Sequence, residues 1–479
     1  MASREVLVIG GGIAGMQASL DLAEMGIHVR LVEKNPSIGG KMAQLDKTFP
    51  TNDCAICIQS PKLVEVGRHP NIDVLAYSEV VGFSGRIGDF RVTVHRKPRY
   101  VNAAKCTACG ACAEKCPTPV PNEFNFGLNN RKAIYKDYPQ GIPSVYTIDP
   151  VHCKLLKGGK CGVCAKVCQA KAVDYTQKAY DEEFVVGAVI IATGYELFDA
   201  SQITEYGYGK LPNVVSSLEM ERLLNASGPT RGHLMRPSTI HAKTRLEQVQ
   251  KQLKKAERTG DEPLITSLLG EQQRLEKYVQ KYSGIKKLAF VQCVGSRDFR
   301  FHKYCSNFCC MHSIKQAIMA REHDHDTESY IFYMDLRTVG KGFEETKLRG
   351  AKVWGLTYIR SRVGEILQDA DLNPIIYYED TTERRVRNMK FDMVVLANAC
   401  SAPKGALNLA KLLGVELDEN NFIKTHASAP LDTTVPGIFV CGCAQCPMDI
   451  PESVVQASGA AGRAAEVVMG GGARLTALG

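Results

Sequence analysis

The chain has 479 residues, 44% of them hydrophobic and 23% charged, which is ordinary for a soluble globular protein and excludes a small disulfide-stapled module. Its 59 Lys and Arg against 51 Asp and Glu leave a formal net charge of +8. That charge is scattered, with no arginine stripe interleaved with aromatics, so nucleic acid is not an expected ligand, whereas an acidic protein partner is compatible with it.

Met1 to Glu5 run straight into an apolar strand, Val6–Ile9, with no signal peptide. The 18 cysteines are therefore expected to be reduced, in a cytoplasmic protein. Glu5 to Glu33 fit a strand, a glycine turn, a helix and a second strand. Gly10, Gly12 and Gly15 form G-x-G-x-x-G: the first turns sharply, the second lets backbone approach a pyrophosphate, and the third lets helix pack on strand. Glu33, followed by Lys34, closes the second strand where a carboxylate can bind ribose hydroxyls. The N-terminal position and the Ser37-Ile38-Gly39-Gly40-Lys41 loop favour FAD over NAD.

Cys54 and Cys57 follow as C-x2-C. They suit a redox disulfide facing the flavin. The preferred expectation is a pair of buried thiols under it, because free cysteine tends to be buried. Asn71 to Val94 alternate in short strands that suit a β-meander.

The next stretch carries eight cysteines. Cys106, Cys109, Cys112 and Cys116, followed by Pro117, make C-x2-C-x2-C-x3-C-P, the run of a [4Fe-4S] ferredoxin. The second run, Cys153, Cys161, Cys164 and Cys168, is looser, and Gln169 stands where proline is usual. In two-cluster modules three thiolates of one run share a cubane with the last of the other. That rule pairs Cys106, Cys109, Cys112 and Cys168, and separately Cys153, Cys161, Cys164 and Cys116. Structural zinc usually wants two C-x2-C knuckles, so three thiolates within seven residues suit iron and sulfur better.

Phe184 to Gly194 is expected to be one buried parallel strand ending in Ala192-Thr193-Gly194, returning the chain to the flavin sheet. Its stretch Val185–Ala192 is the longest apolar run, well short of the roughly 18 residues that span a bilayer. From about Thr239 to Tyr282, Leu246, Val249, Leu253 and Ala256 recur at helical spacing on a charged background, and Gly260 to Pro263 break the pattern. This predicts an amphipathic helical hairpin.

Ile285 to Val294 begin a second nucleotide-type domain, but its turn has one glycine, Gly295, and nicotinamide binding is not expected there. Cys293, Cys305, Cys309 and Cys310 follow. They can hold a third cubane if strand end and helix start converge; otherwise Cys309 and Cys310 are a packed pair and Cys293 is core. Tyr330–Asp335 and Lys390–Ala397 are later strands of that sheet. The last strand, Thr433–Gly442, would end over the ribityl chain, with Gly442, Cys443, Asp449 and Ile450 leading into a helix aimed at the flavin's pyrimidine edge. Cys441, Cys443 and Cys446 could bind metal, but suit buried thiols better.

Together these motifs, among them IGGGIAG, VEKNPSIGGKMAQLDKTFPT, QCVGSRD, YCSNFCCMHSIKQA and GCAQCPMDIPESVVQAS, resemble the A subunit of heterodisulfide reductase over nearly the whole chain. The resemblance implies an α/β, thioredoxin-reductase-like fold of two dinucleotide-binding domains with an inserted two-cluster ferredoxin domain, to which the helical hairpin is an added element. It implies FAD, two [4Fe-4S] clusters and a third at Cys293, Cys305, Cys309 and Cys310, and it nominates Lys315 as a cation near flavin N5. It further implies an oxidoreductase component of a hetero-oligomer, relaying electrons between a donor module and B and C subunits, in some members by bifurcation. Members carry an N-terminal iron–sulfur domain and often a C-terminal ferredoxin, whose contacts would here come from other subunits or be absent. Alternative readings are a self-contained thiol–disulfide oxidoreductase using Cys54 and Cys57, or a structural scaffold. The expected segments are 1–100, 181–237 and 401–479 for the flavin domain, 101–180 for the ferredoxin insert, 238–284 for the hairpin and 285–400 for the second domain.

Overall fold

The computed structural model describes residues 3–471. At its centre is strand β1 (Glu5–Ile9), whose Val6 to Ile9 are buried on both faces. Such a strand needs a layer on each side. Val6 and Val8 pack on helix α1 (Ile13–Glu24), while Leu7 and Ile9 face Phe90, Val92 and Val186 on the other side. Around β1 run β2 (His28–Glu33) and β3 (Ile72–Ala76) in parallel, with helix α2 (Ala55–Arg68) between them in the chain. The opposite layer is an antiparallel sheet of β4 (Ser78–Arg86), β5 (Asp89–Arg96) and β6 (Tyr180–Val186).

The expected single strand from Phe184 to Gly194 is therefore two. β6 pairs antiparallel with β5, and after Gly187 the chain enters β7 (Ala188–Ile191), which pairs parallel with β1. A Cβ at Gly187 would lie 2.4 Å from the Ser3 carbonyl oxygen, so only glycine lets the chain change sheets there. Likewise Asn71 to Val94 is not one meander, because β3 belongs to the parallel sheet.

A second, wholly parallel sheet of five strands has the order β8 (Val214–Ser216), β12 (Met393–Asn398), β9 (Lys287–Val294), β10 (Glu328–Tyr333) and β11 (Thr357–Arg360). Its core packs under α5 (Ser217–Leu224) and α8 (Cys309–His323). Because β8 and α5 belong here, this sheet reaches back into the 181–237 segment assigned to the flavin domain.

Between β5 and β6 lies a small module with helices α3 (Ala111–Lys115) and α4 (Val163–Val167), packed against each other over a core that includes Cys116, Cys153 and Cys164. The helical hairpin is α6 (Pro237–Thr259) and α7 (Glu262–Lys281), joined at Gly260 in the left-handed conformation. Strand β13 (Ile438–Val440) then returns to pair with β7, and helix α9 (Ile450–Glu466) covers β1 beside α1.

Candidate flavin and iron–sulfur sites

The glycine turn after β1 is built for close backbone approach. A Cβ at Gly15 would lie 1.9 Å from the Gly10 carbonyl oxygen, and one at Gly10, whose φ is 110°, would lie 2.4 Å from that of Ala192. A Cβ at Gly12, the residue before α1, would meet nothing within 4 Å, so its face of the turn stays open in front of the helix N-terminus. That open cradle fits a dinucleotide pyrophosphate. Gly40 closes on the turn, its Cβ position only 2.9 Å from Gly12 Cα. Glu33 is buried with Oε2 accepting the Gly11 N–H at 2.8 Å and Oε1 accepting from Asn35, and burial raises its carboxyl above the ordinary range.

Lys34 is exposed, whereas Lys41 is partly buried, its ammonium 5.9 Å from the Tyr195 ring centroid, and desolvation lowers its pKa from the ordinary value. Thr193 and Gly194 follow β7 at the same end of the sheet, and Gly442 approaches α1, its Cβ position 3.1 Å from Ala14 Cβ. Asp449 caps α9: its side chain accepts the Glu452 N–H at 2.9 Å, and Ile450 opens the helix.

The ferredoxin-like module is docked on this cradle. Tyr138 O–H donates to the Ile38 carbonyl, the Ile38 N–H donates to the Ile142 carbonyl at 2.8 Å, and Arg99 donates to Pro36 at 2.6 Å. The module also reaches the second domain, where the Arg222 guanidinium, itself buried, donates to Asn125 at 2.8 Å.

Within the module one cavity is lined by Cys116, Cys153, Cys161 and Cys164 together with Pro117, Ile134 and Tyr175. Cys106, Cys109 and Cys112 form a second group beside Tyr146. Cys168 ends α4 in the same core and accepts the Ala172 N–H at 3.3 Å. Backbone N–H groups of Gly162 and Val163 point at Cys161 and lower its thiol, whereas burial pushes Cys112 up to about 12. A buried thiol of that kind gives up its proton when a cation replaces it, which suits the donor set to a metal cluster. Among the described residues no three His, Cys, Asp or Glu side chains converge on a single ion.

A further sulfur group forms where β9 meets α8. Cys293 is in the left-handed conformation (φ 59°) at the end of the strand, and its thiol neighbours those of Cys305, Cys309 and Cys310. The strand end and the helix start thus lie close together. The Arg337 N–H points at Cys310 (3.4 Å) and that of Asn307 at Cys305 (3.4 Å).

Lys315 is 1% exposed, and its ammonium is bound to Glu221. Glu221 also accepts from Gln316, from the Asp46 N–H at 2.8 Å and pairs with His312 at 2.7 Å. Burial alone would raise the Glu221 carboxyl, but Lys315 and His312 outweigh it and hold it well below the usual carboxylate range. Sequence reasoning named Lys315 and missed this acid; the capping-box motif S-S-L-E just before it was the only local signal, and it marks Glu219 rather than Glu221.

Cys54 and Cys57 depart from the preferred expectation of buried thiols. They form a disulfide on the first turn of α2, Cys57 exposed and Cys54 partly so. The contact of α2 with the flavin loop is made instead by Gln59, which donates to the Gly39 carbonyl at 2.6 Å.

Residues 5–53 match the family model for FAD dependent oxidoreductases, and residues 99–121 match that for a 4Fe-4S binding domain. FAD and iron–sulfur are the cofactors these matches bring to the chain. Thioredoxin reductases from T. acidophilum and Lactococcus lactis share the fold, each with a TM-score of 0.50 over 98% of this chain, at 13% and 14% identity and covering 100% and 99% of those chains.

In sequence the chain is 45% identical over 462 residues to the iron–sulfur A subunit of the CoB–CoM heterodisulfide reductase of Methanocaldococcus jannaschii, covering 96% of this chain and 63% of that protein. It is 41% identical over 498 residues to a protein of Archaeoglobus profundus described as like the heterodisulfide reductase A subunit, covering 99% and 68%. It thus spans about two thirds of the length of these relatives. With the flavin cradle, the cysteine-lined module and a match of 41% to 45% identity along almost the whole chain, the chain belongs to the family of heterodisulfide reductase A subunits.

Proposed function

We propose that this chain is an oxidoreductase subunit that relays electrons between FAD and [4Fe-4S] clusters, within a complex containing a donor module and B- and C-like subunits of a heterodisulfide reductase. The relatives named as heterodisulfide reductase subunits support that setting. The observation that carries the reading is the docking of the cysteine-rich module on the flavin-binding loop through Tyr138, Ile142 and Arg99.

In this reading Gly10, Gly12, Gly15, Gly39 and Gly40 bind the pyrophosphate, and Glu33 binds the ribose. Lys34, Lys41, Thr193, Gly194, Gly442, Cys443, Asp449 and Ile450 border the rest of FAD. Cys106, Cys109, Cys112 and Cys168 hold one cluster, Cys116, Cys153, Cys161 and Cys164 a second, and Cys293, Cys305, Cys309 and Cys310 a third. FAD supplies two-electron chemistry and the clusters one-electron steps, while the chain sets distance, burial and hydrogen bonding. The Lys315–Glu221 pair tunes the flavin side as a neutral, buried dipole rather than as a bare cation.

Anaerobically prepared protein is expected to contain about twelve iron atoms per flavin, four per cubane. Dithionite is expected to bleach the flavin and to raise cluster signals in EPR. Zinc in place of iron, or clusters that take up no electrons, overturns the reading.

The exposed Cys54–Cys57 disulfide favours one further role, exchange with thiols in solution. Cys54→Ser is expected to leave the reductive titration of flavin and clusters unchanged; loss of flavin reduction in that variant would instead support the thiol–disulfide reading.

A further inference from the structure

Two buried cysteines are used by neither the cluster sets nor the pyrophosphate cradle. Cys400 lies in the short strand Cys400–Ser401 that follows β12 and pairs with Glu196–Leu197. Cys443 lies in the turn after β13, next to the Gly442 that approaches α1. They follow strands of the two main sheets, β12 and β13, and they meet in one buried cluster: Cys400 is 0% and Cys443 7% exposed, and Met448, Tyr195 and Phe308 pack with them.

The surroundings hold the pair in place. The Cys400 N–H donates to Ser306 Oγ at 2.9 Å, Tyr304 O–H donates to the Cys400 carbonyl at 2.8 Å, and Cys443 Sγ lies 3.2 Å from the Met448 carbonyl, to which its S–H donates. The Cys400 backbone and the Cys443 side chain are thus anchored independently, and both cysteines lie in the same cluster with Met448, Tyr195 and Phe308. Cys309 of the third cysteine set and Lys41 of the flavin loop are both neighbours of Cys400.

We propose that Cys400 and Cys443 are a buried dithiol–disulfide couple, a two-electron store at the junction of the flavin cradle and the second sheet. In the oxidising direction two S–H bonds break and one S–S bond forms, releasing two electrons and two protons. The acceptor is an oxidised flavin ring, which takes up both electrons and both protons; the reverse step returns them. A protein thiol is too large to enter, because Tyr195, Phe308 and Met448 cover the sulfurs, so exchange by mixed disulfide with a partner is excluded and the neighbouring cofactor is the available route. Two thiols buried only as small apolar groups would instead stay reduced whatever the flavin does. The acceptor in this inference rests on the FAD reading; the dithiol itself does not.

The experiment is differential thiol labelling of the anaerobically purified protein. One sample is oxidised with ferricyanide and one reduced with dithionite. Each is denatured in light N-ethylmaleimide with an iron chelator, reduced, labelled with heavy N-ethylmaleimide and read by peptide mass spectrometry, with flavin content measured on the same sample. Cys400 and Cys443 are expected to change from light to heavy label together on oxidation, and Cys400→Ser to keep Cys443 light. Both residues light in oxidised, flavin-loaded protein overturn the inference, as does Cys443 turning heavy in Cys400→Ser through a bond to Cys446. Should the protein lack flavin, the FAD reading fails separately, and diamide in place of ferricyanide decides the dithiol: a Cys400–Cys443 linkage supports it and its absence overturns it.

Discussion

Glycine at position 12 and glycine at position 15 do different work in the same turn, and substitution separates them. At Gly15 a methyl group would collide with Gly10 at 1.9 Å, so Gly15→Ala forces α1 away from the turn and is expected to destabilise the chain. At Gly12 a methyl group meets no protein atom within 4 Å and the backbone φ of −75° suits alanine. Gly12→Ala is therefore expected to fold with an unchanged thermal midpoint in flavin-free protein and to retain several-fold less flavin, measured by absorbance of the purified holoprotein. These glycines were legible because their chemistry is local. Glu221 was not: it meets Lys315 from 94 positions away, and no spacing or period announces the pair. Glu221→Gln leaves the Lys315 ammonium buried without a counter-ion, at a cost of about 3–5 kcal/mol. Since the folded Glu221 is held below its ordinary range, its contribution is present above the ordinary carboxylate range and is lost as pH falls through the depressed value. The stability gap between wild type and Glu221→Gln is thus expected to be full at neutral pH and to close only well below about pH 4 in denaturant titrations.

Among the elements, the helical hairpin was the easiest to read, because a charged surface with one apolar stripe and a Gly-Asp-Glu-Pro break has few other solutions. Its outer part has a small core of its own, Val249, Ala256 and Leu268, while its base is tied to the second domain by Arg236, which donates to Asn373 at 2.7 Å and to Tyr278 at 2.8 Å. Replacing residues 246–272 with a short Gly/Ser linker is expected to leave flavin content, iron content and thermal midpoint close to those of the parent, as checked by iron assay and calorimetry. A large loss of iron would mean the hairpin braces the cluster region. By contrast, the split of the 184–191 stretch at Gly187 could not be read from composition: Phe184–Val186 and Ala188–Ile191 are both apolar, and the change of sheet depends on a close approach to Ser3 far away in the chain. The Cys54–Cys57 disulfide was misjudged for a related reason. The burial tendency of cysteine is an average, and it yields to the exposure of the first turn of α2.

At the scale of the whole molecule, the central question is whether the cysteine module is an appendage or part of the flavin site. An appendage would share only its two chain connections with the host. Here the segment 138–142 adds a bridge to Ile38, Tyr138 joins the core under β1 and α1, and Gly39 fits beneath the Tyr138 hydroxyl, where a Cβ would come within 2.2 Å. The loop proposed to border FAD is thus shaped by a residue of the module. Tyr138→Phe removes one donor to a buried carbonyl while keeping the ring, a loss of about 1–3 kcal/mol. If the module shapes the flavin site, that cost falls on the holoprotein's hold on FAD: flavin is expected to dissociate several-fold faster on dilution while iron content stays unchanged. An unaltered flavin off-rate would place the module outside the flavin site and leave electron passage between them without its structural support.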